Sequence, residues 1–210
     1  MINGIDDNDL LGDSVSGAGD VNGDGLEDLI LSARGTDECY VVFGKQDTTA
    51  VNLNEILNGV GGFAITGIET DESSAPSVSG AGDINGDGLD DLIIGVDDVE
   101  STYVVFGKKT TNTVTIKHIA QGRGGFVIKG AGFSVSDARH VNGDGLDDLI
   151  IGHPWSNVNN KASESYKAGE SYVIFGKNDT VPVNLNELES ATGGFVIIGI
   201  DKYDGSGFFG

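Results

Sequence analysis

The nine residues Asp20-Val-Asn-Gly-Asp-Gly-Leu-Glu-Asp28 form a phrase that the chain repeats twice more. The second copy is Asp83-Ile-Asn-Gly-Asp-Gly-Leu-Asp-Asp91, and the third is His140-Val-Asn-Gly-Asp-Gly-Leu-Asp-Asp148. The first two copies place oxygen-bearing side chains at positions 1, 3, 5 and 9 and glycine at positions 4 and 6. Glycine permits tight turns, and Ca²⁺ takes about six to eight oxygen ligands at roughly 2.3–2.6 Å. The phrase therefore predicts loops that surround calcium.

We call the three copies loop 1, loop 2 and loop 3. The predicted ligands of the first two are three carboxylates, one amide and the backbone carbonyl at position 7. They are Asp20, Asn22, Asp24, Leu26 and Asp28 in loop 1, and Asp83, Asn85, Asp87, Leu89 and Asp91 in loop 2. A metal-free turn is the alternative, because Asp, Asn and Gly favour turns by themselves. Repetition of the same five oxygens favours calcium. The acids at position 8 are expected to face solvent: Glu27, Asp90 and Asp147.

Loop 3 departs from the pattern because His140 replaces the first aspartate. Imidazole is a poor ligand for an ion that prefers oxygen. Either this site is weakened or empty, or a neighbour such as Asp137 compensates. The remaining candidate ligands are Asn142, Asp144, the carbonyl of Leu146, and Asp148.

The loops are not EF-hands. An EF-hand carries a bidentate glutamate at position 12 and a helix on each side. Position 12 is Leu31, Ile94 or Ile151 here, in the middle of an apolar run, and the acid stands at position 9 instead. The pattern is that of a calcium loop joining two β-strands.

The loops lie inside a longer repeat. Its Gly-Phe segments recur at Phe63, Phe126 and Phe195, with spacings of 63 and 69 residues (126 − 63 and 195 − 126). Each unit holds four runs of β-branched and aromatic residues bounded by Gly, Asn and Asp, which are typical of strands. A period this long with four strands indicates propeller blades rather than a helical solenoid.

We therefore predict an all-β fold of three four-stranded β-propeller blades in a single region over 1–210. Blade 1 spans about 12–67, blade 2 about 77–130 and blade 3 about 133–199, and 200–210 opens a further repeat. A propeller usually needs about four to eight blades to close. The expectation is a partial propeller, a fragment of a larger one, or a chain that completes its ring by association. Short helical turns are expected only at Asn52–Leu57 and Asn184–Leu188.

Composition narrows the possible partners. The chain has 12 Lys and Arg against 33 Asp and Glu, a formal net charge of −21. This balance disfavours nucleic acids and anionic membranes, which attract basic surfaces. The single cysteine, Cys39, excludes an intrachain disulfide. No stretch approaches the length of a membrane span.

The repeats resemble the FG-GAP repeat of the integrin α-chain β-propeller. The residues that carry the resemblance are Phe43-Gly44, Phe106-Gly107, Phe175-Gly176, Gly17-Ala18-Gly19 and Gly80-Ala81-Gly82, together with the loops. The resemblance implies calcium in the loop between the first two strands of each blade. It also implies an extracellular or cell-surface protein that adheres to proteins or glycans.

Sequence motifs of catalysis are absent. The chain has neither Gly-x-Ser-x-Gly nor His-Glu-x-x-His. His118, His140 and His153 are expected on the surface, and Cys39 is expected to be partly buried. We predict a calcium-stabilised interaction or adhesion module that is not an enzyme. The alternatives are a glycan-binding propeller, with Trp155 and Tyr166 exposed, or a non-catalytic accessory module of a secreted hydrolase.

Overall fold

Each of the three repeats folds into a four-stranded antiparallel blade, which confirms the predicted all-β propeller architecture. The computed structural model describes residues 2–3, 9–34, 36–70, 74–156, 168–190, 192–200 and 206–207. The strands of blade 1 are β2 (Leu11–Gly19), β3 (Asp28–Ala33), β4 (Glu38–Val42) and β6 (Gly62–Thr66), paired in that order. A short strand, β5 (Val51–Asn52), lies between β4 and β6 in the chain.

Blades 2 and 3 repeat this arrangement. Blade 2 consists of β7 (Ser77–Gly82), β8 (Asp91–Val96), β9 (Ser101–Val105) and β11 (Gly125–Lys129), and blade 3 of β12 (Ser134–Arg139), β13 (Asp148–His153), β14 (Glu170–Ile174) and β16 (Gly194–Ile198). The first strand of blade 2, β7, contacts both β2 and β12, so the first strands lie side by side and the blades radiate from a shared inner side. The outer limits of the domain stay a prediction.

Short parallel strands fasten each blade to its neighbour. The segment between the third and fourth strands of blade 2 contains β10 (Val114–Thr115), which pairs with β6 of blade 1. In the same way β15 (Val183–Asn184) from blade 3 pairs with β11 of blade 2. The strand β1 (Ile2–Asn3) pairs with β5 in the same parallel manner. It therefore stands to β5 as the fourth strands β6 and β11 stand to β10 and β15.

Helical turns follow these short strands. They are α1 (Leu53–Leu57), α2 (Ile116–Ile119) and a 3₁₀ helix at Leu185–Ser190, and a further 3₁₀ turn spans Asp97–Val99. The prediction of only two such turns is wrong, because it missed α2. The residue before α2, Thr115, makes no capping hydrogen bond through its side chain. The helix is instead held by the burial of Ile116 and Ile119. Two apolar residues in so short a segment do not predict a helix from sequence.

Apolar packing is strongest where a blade lies between two others. All six residues of β8 are buried, because blade 2 has a blade on each side. The long connection in blade 3 falls mostly in residues 157–167, which lie outside the described residues. Tyr166, predicted to be exposed, is one of them. Trp155 precedes it, is exposed as expected, and packs edge-on against Phe133 with ring centroids 6.5 Å apart.

Candidate metal centre

The three loops connect the first and second strands of their blades. Loop 1 follows β2, loop 2 follows β7 and loop 3 follows β12, and each loop begins next to a register shift in the strand pair. Since the blades repeat one geometry, the three loops lie at the same end of their blades. The predicted ligands of one loop therefore lie near one another, and each loop is a separate candidate site.

In loop 1 the backbone winds around the carboxylate at position 1. Asp20 accepts hydrogen bonds from the amides of Gly23 at 2.8 Å, Asp24 at 3.0 Å and Gly25 at 2.8 Å. The two glycines have φ of +77° and +87°, which favours glycine at both positions. The carboxylate thus lies inside the turn, where a ligand at position 1 is expected.

Loop 2 has the same contacts. Asp83 accepts from the amides of Gly86 at 2.7 Å, Asp87 at 3.0 Å and Gly88 at 2.9 Å. At position 3, Asn85 accepts from the amide of Asp87 at 2.8 Å. Two loops that are separated in sequence therefore adopt one conformation, as their shared sequence predicts.

The acid at position 9 joins each loop to the third strand. Asp28 is fully buried and accepts from the amides of Val21 at 3.0 Å and Gly44 at 2.7 Å. Asp91 is also fully buried and accepts from Ile84 at 3.0 Å and Gly107 at 2.8 Å. Both oxygens of these side chains accept backbone hydrogen bonds, which ties the start of the loop to its end.

The same contact explains the Phe-Gly sequence. A Cβ atom on Gly44 would lie 2.6 Å from the carbonyl oxygen of Glu27, and one on Gly107 would lie 2.5 Å from that of Asp90. Any larger residue would push the third strand away from the loop. Glycine after phenylalanine is thus required by the close approach to the loop.

Burial makes the position 9 carboxylates harder to ionise than exposed aspartates. It raises the pKa of Asp28 to about 6 and that of Asp91 to about 8, even though backbone amides oppose the shift. The carboxylates at positions 5 and 1 of the same loop add to the rise through charge repulsion. A cation nearby would offset both effects, since it stabilises the charged form of every carboxylate in the loop.

The donor set fits calcium chemically. Each of the first two loops offers carboxylate, amide and carbonyl oxygens and no sulfur or nitrogen ligand, as hard cations require. Within the described ranges, no three His, Cys, Asp or Glu side chains stand together in a metal-binding cluster. The oxygens of Asp20 and Asp24 accept amide hydrogen bonds of the loop itself. A carboxylate has further acceptor positions beyond these hydrogen bonds.

Loop 3 is closed differently. His140 donates from Nδ1 to the carbonyl oxygen of Leu146 at 2.8 Å, and its Nδ1 is 3.5 Å from a carboxylate oxygen of Asp147. The carbonyl and then the carboxylate raise the pKa of the imidazole above its ordinary value. Asp137 accepts a hydrogen bond from the backbone amide of Arg139 at 2.7 Å. Arg139 is the residue that precedes the loop. The imidazole therefore uses the carbonyl predicted as the position 7 ligand.

The prediction that the position 8 acids face solvent is wrong for blades 2 and 3. Asp90 accepts from the amide of Asp20 at 2.7 Å, and Asp147 accepts from the amide of Asp83 at 2.9 Å. Each acid thus binds the loop of the preceding blade. Only Glu27 is exposed as expected. Sequence reasoning missed these contacts, although Gly19 and Gly82, which precede loops 1 and 2, were a usable signal, since a side chain at either would meet the acid.

Further contacts link neighbouring blades beside the loops. Lys108 donates its backbone amide to the carbonyl of Val21 at 2.8 Å, and its ammonium lies 3.8 Å from the ring centre of Phe63. Lys177 repeats both contacts one blade later, with Ile84 and Phe126. The lysine after Phe-Gly therefore belongs to the junction between blades.

The other polar candidates do not form a site. His118 lies in α2 and is exposed, and His153 at the end of β13 is half-buried. Cys39 is fully buried rather than partly buried, because it lies in the central strand β4 between two blade faces. Burial raises the pKa of its thiol, which makes the thiol unreactive.

Four-stranded blades that radiate from shared inner strands define this chain as a β-propeller repeat protein. A family model described as FG-GAP repeat matches residues 75–114. Integrin alpha-PS2 of Drosophila melanogaster is 32% identical over 167 residues, which cover 72% of this chain and 11% of that protein. Integrin alpha pat-2 of Caenorhabditis elegans is 28% identical over 202 residues, 86% of this chain and 15% of that protein.

A third relative, integrin alpha-4 of Xenopus laevis, is 28% identical over 146 residues, or 64% of this chain and 14% of that protein. The chain belongs to the FG-GAP, integrin alpha-like family. It spans between 11% and 15% of the length of these three relatives. No helix among the described residues is long and apolar enough to cross a membrane.

Proposed function

We propose that the chain is a calcium-stabilised interaction module of an extracellular or cell-surface protein, without catalytic activity of its own. The observation that carries the proposal is the pair of fully buried carboxylates, Asp28 and Asp91, each at the end of an oxygen-rich loop. Burial, and the charges of the carboxylates at positions 5 and 1 of the same loop, raise the pKa of both acids. A buried carboxylate with like charges around it is unfavourable unless it is neutralised.

The bound ion would neutralise these carboxylates and thereby stabilise the loops. The chain's own residues would do the rest. In loop 1 the side chains of Asp20, Asn22 and Asp24, the carbonyl of Leu26 and the side chain of Asp28 would hold the ion, and their counterparts in loop 2 are Asp83, Asn85, Asp87, Leu89 and Asp91. Asp28 would connect ion binding to the fold, since it also accepts the amide of Gly44.

Loop 3 would bind calcium weakly or not at all. It keeps Asn142, Asp144 and Asp148, but His140 contributes a donor where loops 1 and 2 contribute an acceptor. The carbonyl of Leu146 already accepts that proton. An ion would have to break this hydrogen bond and would gain one carboxylate fewer.

The adhesive role is inferred from the relatives. All three are integrin alpha chains, and the matched parts cover 64% to 86% of this chain. A surface protein that recognises a protein or glycan partner is the function that this likeness supports. The net charge of −21 agrees with a partner other than nucleic acid.

Exposed apolar faces support completion of the ring. Val15 is 61% exposed and Leu29 44%, whereas the matching residues of blade 2, Val78 and Leu92, are 5% and 0% exposed. On the opposite side Phe195 is 40% exposed, against 0% for Phe126. Blades 1 and 3 thus each present one half of the junction that joins blade 2 to its neighbours. Further repeats or self-association would cover both halves.

Calcium titration by calorimetry, with thermal melting in calcium and in chelator, tests the proposal. Two binding events and a higher melting temperature in calcium are expected, since a site that is saturated at about a hundred times Kd adds about 2.7 kcal/mol to stability. Replacing the position 5 aspartate provides a matched series. Asp24→Asn and Asp87→Asn should each weaken one event, whereas Asp144→Asn should leave both unchanged. No heat and no shift in melting would overturn the calcium role.

Glycan binding is the second candidate, and Trp155 is the residue that favours it. Its indole is 46% exposed, and its edge-on contact with Phe133 holds the ring in place. An exposed, oriented aromatic ring is a suitable platform for a sugar. A glycan array with the unchanged protein and with Trp155→Ala decides this. Binding that Trp155→Ala abolishes supports the idea, and an array without binding removes it.

A further inference from the structure

Asp90 and Asp147 each contact two loops. Asp90 is adjacent to Asp91 of loop 2, yet its carboxylate accepts from the amide of Asp20 in loop 1 at 2.7 Å. Its own amide donates to the carbonyl of Asp20 at 3.3 Å. Asp147 makes the same two contacts with Asp83, at 2.9 Å and 3.2 Å. The first residue of loop 1 and that of loop 2 are therefore held on both sides of their Cα atoms by the following blade.

The residue before each loop leaves room for this contact. Gly19 has φ of +73°, and a Cβ atom there would lie 2.2 Å from the carboxylate oxygen of Asp90. Gly82 has φ of +66°, and its Cβ would lie 2.2 Å from that of Asp147. These distances are far below any van der Waals contact, so the acid and the glycine depend on each other.

The backbone before loop 3 has the same left-handed turn without a glycine. Arg139 stands where loops 1 and 2 have glycine, and it adopts φ of +54° at an energetic cost that glycine avoids. At loops 1 and 2 a side chain at this position would in addition meet the acid of the following blade.

The contact affects the residue at position 1, the first of the predicted ligands of the loop. The amide of Asp20 is fixed by Asp90, and the carboxylate of the same residue is fixed by three amides of loop 1. Fixing the backbone beforehand lowers the conformational entropy that is lost on binding. The negative charge of Asp90 next to the loop also attracts a cation.

We propose that Asp90 and Asp147 are positioning residues that hold loops 1 and 2 in the shape that binds a cation. The affinity of each loop then depends on the blade that follows it, and binding is coupled to the junction between blades. This inference rests on the proposed calcium function. It assigns no ligand role to either acid, because both carboxylates are directed at backbone amides of the neighbouring loop.

The experiment replaces each acid and observes each loop separately. Amide signals of Gly25 and Gly88 report calcium binding at loops 1 and 2 in NMR titrations. Asp90→Ala should weaken binding at loop 1 by roughly tenfold, since a hydrogen bond to a charged group is lost. Loop 2 should keep its affinity. Asp147→Ala should do the reverse, weakening loop 2 and sparing loop 1.

Glu27→Ala is the matched control. Glu27 occupies position 8 of loop 1 but is exposed. Its replacement tests whether removing a position 8 acid affects the loop that contains it, and no change at loops 1 and 2 is expected. Asp90→Asn is the rescue variant, because its amide oxygen can still accept from the amide of Asp20. It should bind more tightly than Asp90→Ala.

A second readout is independent of calcium. In chelator, the amide of Asp20 should exchange its hydrogen faster in Asp90→Ala than in the unchanged protein, with amides of β8 as the reference for global unfolding. If the unchanged protein binds no calcium, the proposed function fails, and this exchange measurement still decides whether Asp90 holds the backbone of loop 1. Unchanged exchange at Asp20 overturns the inference. If Asp90→Ala does not fold, Gly19→Ala displaces the acid instead and should expose the same amide.

Discussion

The imidazole of His140 donates from Nδ1 to the carbonyl oxygen of Leu146 at 2.8 Å, which joins positions 1 and 7 of loop 3 directly. In loops 1 and 2 these two positions carry a carboxylate and a carbonyl, both acceptors, and neither can donate to the other. A cation between them is one way to satisfy both. Loop 3 instead closes through the proton of a side chain.

Replacing this histidine should therefore create a cation site. In His140→Asp the loop regains three carboxylates, an amide and a free carbonyl at position 7. We expect one calcium-binding event more than in the unchanged protein, measured by calorimetry. His140→Asn is the control, because it removes the imidazole without adding the third charge, and it should bind more weakly than His140→Asp. An unchanged number of events in His140→Asp would contradict this explanation of loop 3.

The stability of the cation-free protein should decrease as the pH rises. Burial raises the pKa of Asp28 from 3.8 to about 6 and that of Asp91 from 3.8 to about 8. The folded state then binds these protons more tightly than the unfolded chain. Their stabilising contribution is complete below about pH 4 and is lost as the pH rises through about 8.

Thermal melting in chelator checks the direction of this effect. The melting temperature should fall from about pH 5 to about pH 8. That of the Asp91→Asn variant should fall less, because the amide side chain cannot ionise. Glu55→Gln is the control, since Glu55 is an exposed acid in α1. Its melting curve should follow that of the unchanged protein. A melting temperature that rises over this range would contradict the assignment.

The glycine of Phe-Gly should tolerate no side chain. In Gly107→Ala the new Cβ would lie 2.5 Å from the carbonyl oxygen of Asp90 and 2.9 Å from that of Val21. Overpacking of this kind costs about 1–3 kcal/mol of unfolding free energy. Gly17→Ala is the control, because nothing lies within 4 Å of the position of its Cβ. Denaturant unfolding should separate the two variants, and equal stability would contradict the steric explanation.

The exposed faces of blades 1 and 3 should drive self-association of the isolated chain. Val15 and Phe195 are 61% and 40% exposed, and both lie where blade 2 buries the equivalent residues. Sedimentation should show species larger than a monomer as the protein concentration rises. Val15→Asp and Phe195→Asp should shift the chain towards monomer, since a charge at an apolar junction is costly.

Val60→Asp is the control for this experiment. Val60 is 59% exposed but lies in the turn after α1, away from both faces. It should leave the association unchanged. A monomer at every concentration would contradict self-association, and further repeats would then remain as the proposed means of covering both faces.

Sequence alone determined the features that depend on neighbouring residues. Runs of β-branched and aromatic residues predict the four strands of each blade. The Asp, Asn and Gly residues between them predict the loops that join first and second strands, with glycine at positions 4 and 6. These preferences act over a few residues, so one copy of the phrase predicts the backbone of the next. The inward carboxylate of Asp20 belongs to this class, because its partners lie three to five residues away.

Tertiary structure alone decided the contacts between blades. Asp90 lies 70 residues from Asp20, and Asp147 lies 64 from Asp83, so no local pattern places either acid on the preceding loop. The same holds for α2, which depends on burial of its isoleucines rather than on a cap. An acid in a turn faces solvent by default, and only the packing of one blade against another gives it a partner on the neighbouring loop.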